Sequence, residues 1–239
     1  MAMRLDRLLV TLGQGSRSEV QRFIRAGDVT VDGQCVRDPA CHVPEESAVT
    51  LRGQPLNTSL SRTVMLHKPA GILTAARDPR QPTVMDLLPD AFRPLGCMPV
   101  GRLDKDTSGL LLLTTDGQLA HRLLSPGRHV DKLYRATVDG PLRDADIEAF
   151  AQGLVLSDFT AQPARLQIVS SATDQSEALV TVHEGKFHQV RRMFAAVGRQ
   201  VITLHRERFG PLALDPGLAP GSWRDLTADE LRALRDAVV

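Results

Sequence analysis

Apolar residues recur at helical spacing near the start of the chain, where Leu5, Leu8, Leu9 and Leu12 share one side of the stretch 4–12 and Arg4, Asp6 and Arg7 lie on the other. This pattern predicts a short amphipathic helix. A second helix is predicted directly after it, opened by the capping-box pair Ser16 and Glu19, striped by Val20, Phe23 and Ile24, and closed by Gly27. Arg17, Arg22 and Arg25 lie off that stripe. The period then shortens: Val29–Val31 and residues 34–36 flank Asp32-Gly33, a two-residue signal for a tight hairpin. The polar stretch 54–62 reads as a linker, so a boundary is expected near residue 60, with a small unit of residues 1–60 ahead of a larger one of 61–239.

In the larger unit, β-rich runs alternate with turns and a few helices. Strands are predicted at 63–67, 109–114, 133–138, 165–169, 178–183 and 201–204. Helices are predicted at 118–124, at 144–152 ending in Gly153, at 188–197 ending in Gly198, and at 227–237 opening on Thr227 and Glu230. No regular β-α-β rhythm runs through them. The expected class is therefore α+β, with a mainly antiparallel mixed sheet and flanking helices.

Composition narrows the function classes without choosing one. With 239 residues, 42% hydrophobic and 24% charged, the chain matches neither a disordered nor a fibrous protein. Cys35, Cys41 and Cys97 form no C-x-x-C pair and are odd in number, which argues against a zinc site or a disulfide framework and for a reducing, cytoplasmic setting. The longest apolar run, 110–113, is far below the roughly 20 residues of a membrane span, and no secretory leader is expected. Net charge is only +1, but it is unevenly distributed: residues 1–30 carry +2 and residues 183–210 carry +4. Of the 29 cations, 25 are arginine, the cation suited to bidentate phosphate contacts, although a GC-rich genome produces the same bias.

Three segments could carry chemistry. In 100–114, a glycine-bounded loop with Arg102, Asp104, Lys105, Asp106, Thr107 and Ser108 leads into an apolar strand, and polar loops on rigid strands are common places for sites. Asp104 and Asp106 read equally as an Asx-turn pair, or as two carboxylates of a metal site that needs further ligands from elsewhere. Segment 183–194 is a glycine turn feeding a helix, and its cations could hold a buried carboxylate, bind phosphates or merely cover a solvated face. The stretch 131–135 holds the only tyrosine, Tyr134, which is either core or a stacking surface for a base.

Taken in order, His67-Lys-Pro-x-Gly71, Gly101-Arg-Leu-Asp104-x-Asp-Thr-Ser-Gly109-Leu-Leu, Lys132-x-Tyr134 and Glu184-Gly-Lys-Phe-His-Gln-Val-Arg-Arg-Met193 resemble the pseudouridine synthases of ribosomal RNA. The first unit resembles the ribosomal S-four type RNA-binding domain that precedes many of them. The resemblance implies that Asp104 is the catalytic group, with Asp106 supporting it. It implies that Arg191 pairs with that carboxylate, that Tyr134 stacks on the target uracil, and that Arg102 lies near the gap left by the flipped nucleotide. Lys68 and Pro69 are implied to be structural supports of the catalytic loop. Lys186, His188, Gln189 and Arg192 are expected to meet the RNA, as are Arg4, Arg17, Arg22 and Arg25 at its phosphates. No cofactor and no metal are implied. The expected partner is ribosomal RNA or a partly assembled small ribosomal subunit, with no membrane and a monomeric enzyme. Within the family, the stretches 120–126 and 205–210 look most like the branch acting on small-subunit 16S RNA, as against 23S RNA of the large subunit. The competing readings are a non-catalytic rRNA-binding assembly protein and a metal-dependent nuclease.

Overall fold

Ser16 begins the second helix as its spacing requires: its hydroxyl accepts the Glu19 N–H, while the Glu19 carboxylate accepts the Ser16 N–H at 2.9 Å. The computed structural model describes residues 2–238, with the first two helices at Leu5–Thr11 and Arg17–Ala26 and Gly27 closing the second in the left-handed region, φ +87°. Their apolar stripes meet Val29, Val43 and Val49 in one core. Beside them lies an antiparallel sheet in the order Gln34–Cys35, Val29–Val31, Val49–Leu51, Gln54–Pro55. Asp32 and Gly33 both take positive φ, as a tight hairpin demands.

Arg52 and Gly53 repeat that conformation, and the strand they begin lies in the stretch expected to be a linker. Its two residues are both exposed, so no apolar alternation marked it. The chain divides into two compact units: Met1–Arg62 with Leu88–Cys97, and Thr63–Leu87 with Met98–Val239. A single cut near residue 60 omits the return of 88–97 to the first unit. There Ala91 packs on Gly13 so closely that an added Cβ at Gly13 would lie 2.7 Å from the Ala91 Cβ.

In the second unit, seven strands follow the order Arg165–Ser171, Gln175–Val182, Lys132–Asp139, Val201–Phe209, Thr107–Thr114, Thr63–Lys68, Trp223–Asp225. Every neighbouring pair on this path is antiparallel except Val201–Phe209 with Thr107–Thr114, so the sheet is the mainly antiparallel mixed one expected. Met65, Leu110, Leu112, Leu119, Leu123 and Phe209 form a core on one face, joined by Leu234 of the helix Ala228–Asp236. The parallel pair needs a glycine. At Gly109, φ is +111°, and a Cβ would lie 2.3 Å from the Arg206 carbonyl oxygen. The strand Val201–Phe209 runs five residues past its expected end because residues 205–208 are His-Arg-Glu-Arg, and a cation facing inward hides the alternation.

Candidate active site

The loop carrying Asp104 is held from beneath by a lysine. Lys68 ends the strand Thr63–Lys68, is fully buried, and donates through Nζ to the carbonyls of Pro69 (3.0 Å), Lys105 (3.0 Å) and Thr107 (2.8 Å). Burial pushes its ammonium down to about 8, against the upward pull of Asp106 and Asp104. Thr74 clamps the next carbonyl inward, donating to Leu103 O at 2.8 Å and accepting the Leu103 N–H at 3.2 Å. The Gly71 N–H also reaches the Lys105 carbonyl, at 2.8 Å. With its backbone tied on both sides, the loop presents the Asp104 carboxylate at a small cleft that residues 184–190 close from the other side.

Strand alternation places Lys132, Tyr134 and Ala136 inward on the neighbouring strand Lys132–Asp139. Tyr134 is 9% exposed and lines the cleft together with Asp104, Leu103, Thr107 and Leu204. Its hydroxyl accepts from Arg206 Nη1 at 3.4 Å. Arg206 is 2% exposed, spends Nε on the Leu110 carbonyl at 2.8 Å, and leaves Nη2 without a hydrogen-bond partner; the Thr107 hydroxyl is likewise buried and unpartnered. Lys132 donates to the carbonyls of Val130 (2.7 Å) and His183 (3.0 Å). Burial, reinforced by nearby Arg206, lowers its ammonium to about 8.

The far wall comes from residues 184–190. His188 caps the helix Gln189–Ala196 in the left-handed region, φ +50°, and sets its Nε2 3.5 Å from Asp104 Oδ1. Phe187, 75% exposed, stacks on the His188 ring with centroids 3.8 Å apart and planes inclined by 17°.

Arg102, Lys186, His188 and Gln189 thus line the same cleft as Asp104 and Tyr134. Arg191 does not make the expected ion pair. Its guanidinium donates to the Val201 carbonyl at 3.2 Å, and the left-handed turn at residue 188 gives the place beside Asp104 to the histidine one helical turn earlier. Gln189 is buried and works within the loop, accepting the Lys186 N–H at 3.2 Å and donating to Glu184 at 2.8 Å. Arg192 is committed to Asp158 and to Ser157 (3.0 Å) and lies over the Phe159 ring. In the first unit, Arg4 is paired with buried Asp6 at 2.8 Å, whereas Arg17, Arg22 and Arg25 are exposed on the second helix. Among the described residues, no group of three or more His, Cys, Asp or Glu is arranged to hold a metal ion.

Sequence reading missed Arg206, Thr74 and Phe187. Arg206 enters the sequence reading only through a local charge sum and the stretch 205–210, and its position two residues after buried Leu204 is the alternation signal that marks it as inward-facing. Thr74 carried no local signal, because its partner lies 29 residues on.

Comparison with known proteins places these features in a wider set. Residues 62–196 match the family described as RNA pseudouridylate synthase, and residues 3–49 match the S4 domain. A Pseudomonas aeruginosa protein named ribosomal small subunit pseudouridine synthase A is 43% identical over 235 residues, covering 96% of this chain and 99% of the relative. The Escherichia coli protein of the same name is 42% identical over 238 residues, with 97% and 100% covered. A Bacillus subtilis protein named as an uncharacterized RNA pseudouridine synthase is 43% identical, with 98% and 99% covered. A crystal structure titled pseudouridylate synthase superposes with a TM-score of 0.68 at 32% identity, covering 97% of this chain and 99% of that one.

Proposed function

This chain belongs to the RNA pseudouridylate synthases, and from that premise we propose that it converts one uridine of small-subunit 16S ribosomal RNA to pseudouridine, with Asp104 as the reacting carboxylate. The observation that carries the choice of substrate is the near full-length similarity to two relatives named for the small subunit. The observation that carries the residue is its presentation: among the acidic groups of the loop, Asp104 lines the cleft with Tyr134, while Asp106 faces solvent.

In the reaction, the bond from uracil N1 to the ribose carbon breaks, the ring turns, and a bond forms from C5 to the same carbon, with the C5 proton lost and N1 left protonated. Substrate and product are isomers, so the balance requires no oxidant, reductant or group donor. An ionised carboxylate can meet the positive charge that develops at the sugar, or attack it, and it can act as a base. The target must leave its helix to reach the cleft, at a cost of a few kcal/mol that stacking and charge contacts recover. Tyr134 supplies the inner stacking face and a hydroxyl for proton transfer, and Arg102 stands at the exposed rim. Arg191 is retained as a candidate partner of the carboxylate once RNA is bound, because it lies one helical turn beyond the His188 now beside Asp104.

The exposed arginines of the S4 domain serve as phosphate contacts that position the RNA without reading its sequence. The chain acts as a monomer in the cytoplasm, on free RNA or a partly assembled subunit. The test is incubation with an unmodified 16S transcript followed by pseudouridine mapping. The expected result is one new pseudouridine with the wild type and none with Asp104→Asn, which still binds the transcript. Product from the variant would overturn the role of Asp104, and product on 23S RNA alone would overturn the substrate.

A further inference from the structure

Phe187 is an aromatic ring presented to solvent between Lys186 and His188, two residues that line the reactive cleft, and solvation of a lone apolar ring does not explain the way it is held. Leaving it exposed forgoes the roughly 1.5–3 kcal/mol that burying such a side chain contributes. One of its faces and the backbone of its turn are nevertheless held. One face stacks on His188 at 3.8 Å. His188 in turn holds a left-handed backbone conformation that costs a non-glycine residue about 1–2 kcal/mol. The Phe187 carbonyl accepts from Arg192 Nη1 at 3.4 Å, and Arg192 is anchored on Asp158 and Ser157. Strain and an exposed ring thus occur at the same turn, with the stacked histidine 3.5 Å from Asp104, and strained backbone of this kind clusters at ligand contacts.

We propose that the free face of Phe187 is a stacking subsite for a nucleobase flanking the target uridine. The inference rests on the reading of this cleft as the site where the uridine reacts. A base laid on Phe187 would extend the His188–Phe187 stack by one step outward from Asp104, within reach of a nucleotide next to one held at that carboxylate. Stacking on Phe and His is the usual means by which proteins hold unpaired RNA bases, since every base offers a π face. The adjacent Lys186, exposed on the same turn, supplies the charge for the neighbouring phosphate.

The experiment measures equilibrium binding of the unmodified 16S transcript in an Asp104→Asn background, so that its outcome does not depend on turnover. Phe187→Ala is expected to weaken binding about 5- to 150-fold, the range that loss of one stacked base produces, with the melting midpoint unchanged. Phe187→Trp is expected to bind within about threefold of the parent, because it keeps the π face. A substrate with an abasic nucleotide beside the mapped target should lose affinity for the parent and not for Phe187→Ala. Binding unchanged in Phe187→Ala, or fully restored by Phe187→Leu, would overturn the stacking subsite, as would a change in oligomeric state at equal RNA affinity. Loss of binding in Phe187→Ala together with no pseudouridine from the wild type would instead leave the subsite standing and reject the reaction assigned to the cleft.

Discussion

Arg206 donates through Nη1 to the Tyr134 hydroxyl at 3.4 Å. A guanidinium can only donate, so the phenolic oxygen accepts and its own O–H stays available to donate elsewhere, in a residue that lines the cleft. Among the described residues Arg206 has no carboxylate partner and its Nη2 makes no hydrogen bond, while its guanidinium lies over the rings of Phe209 at 5.2 Å and Tyr134 at 6.0 Å. Burying a cation without a carboxylate is costly, and the ring faces offset part of that cost.

Stability and activity should therefore move apart in Arg206→Met. The methionine removes a buried charge that no carboxylate balances while keeping much of the volume and the contact with the Phe209 ring, so the melting midpoint should hold or rise. Activity should fall about 10²-fold in kcat, in line with losing an oriented proton donor. A double-mutant cycle with Tyr134→Phe checks the link: if Arg206 acts through the hydroxyl, its effect on kcat nearly vanishes in the Phe background. Equal losses in both backgrounds would mean a purely structural role.

Gly109→Ala should be among the most damaging single changes in the larger unit. The residue sits at φ +111°, and the new Cβ would meet the Arg206 carbonyl oxygen at 2.3 Å and its nitrogen at 2.5 Å, both backbone atoms that cannot turn aside. Strain and overpacking together predict a loss of about 3 kcal/mol or more in a denaturant titration. Gly33→Ala is the internal control, because it also has positive φ, at +79°, but open space around it. It should cost about 1 kcal/mol.

Lys68 makes stability depend on alkaline pH. Its folded-state value of about 8 lies below the ordinary 10.5, so between those values the unfolded chain binds more protons than the folded one. Stability contributed at this position therefore rises as pH increases from about 8 to 10.5, and below about 8 the full cost of burying the ammonium remains. Lys132 behaves in the same sense, so the measurement is a difference: unfolding free energy of the wild type minus that of Lys68→Met should increase across the window. A flat or falling difference would mean that the lysine is not buried as a charged clamp. The same substitution should depress activity at every pH, since three carbonyls around the Asp104 loop lose their shared donor.

These positions show which parts of the molecule could be read from sequence. The second N-terminal helix was legible to within a residue because Ser16, Glu19 and Gly27 state its ends in local chemistry, as Asp32-Gly33 does for the hairpin, while the first was legible from its leucine spacing. The Arg52-Gly53 hairpin was not, since Arg at a left-handed position carries no local preference and its strand is exposed on both faces. In the cleft, Asp104 and Tyr134 were singled out by the resemblance to the pseudouridine synthases, their local sequence alone leaving other roles open. The pairing of Asp104 with His188 depends on one left-handed residue at a helix cap, and Arg206 on a parallel register set by a distant glycine. Both are long-range facts that no local window contains.

Among the N-terminal arginines, Arg4 should differ in kind from Arg17 and Arg25. Arg4 is tied to Asp6, which is 2% exposed and also accepts the Arg7 N–H at 2.8 Å; the Arg4 hydrogen bond is the first cause holding the Asp6 carboxyl below its usual range. A carboxylate lowered in the folded state stabilises above its unfolded value of 3.8, and that contribution is lost as pH falls through the folded value. Arg4→Ala should consequently lower the melting midpoint at pH 7, with the difference from wild type shrinking below about pH 4. Arg17 and Arg25 are exposed and off the apolar stripe, so Arg17→Ala and Arg25→Ala should leave the melt unchanged. If each meets one phosphate, each should reduce the slope of log binding constant against log salt by about 1 for the 16S transcript. An unchanged slope with either variant would remove that arginine from the RNA-binding surface, and a lowered melt would move it into the same structural group as Arg4.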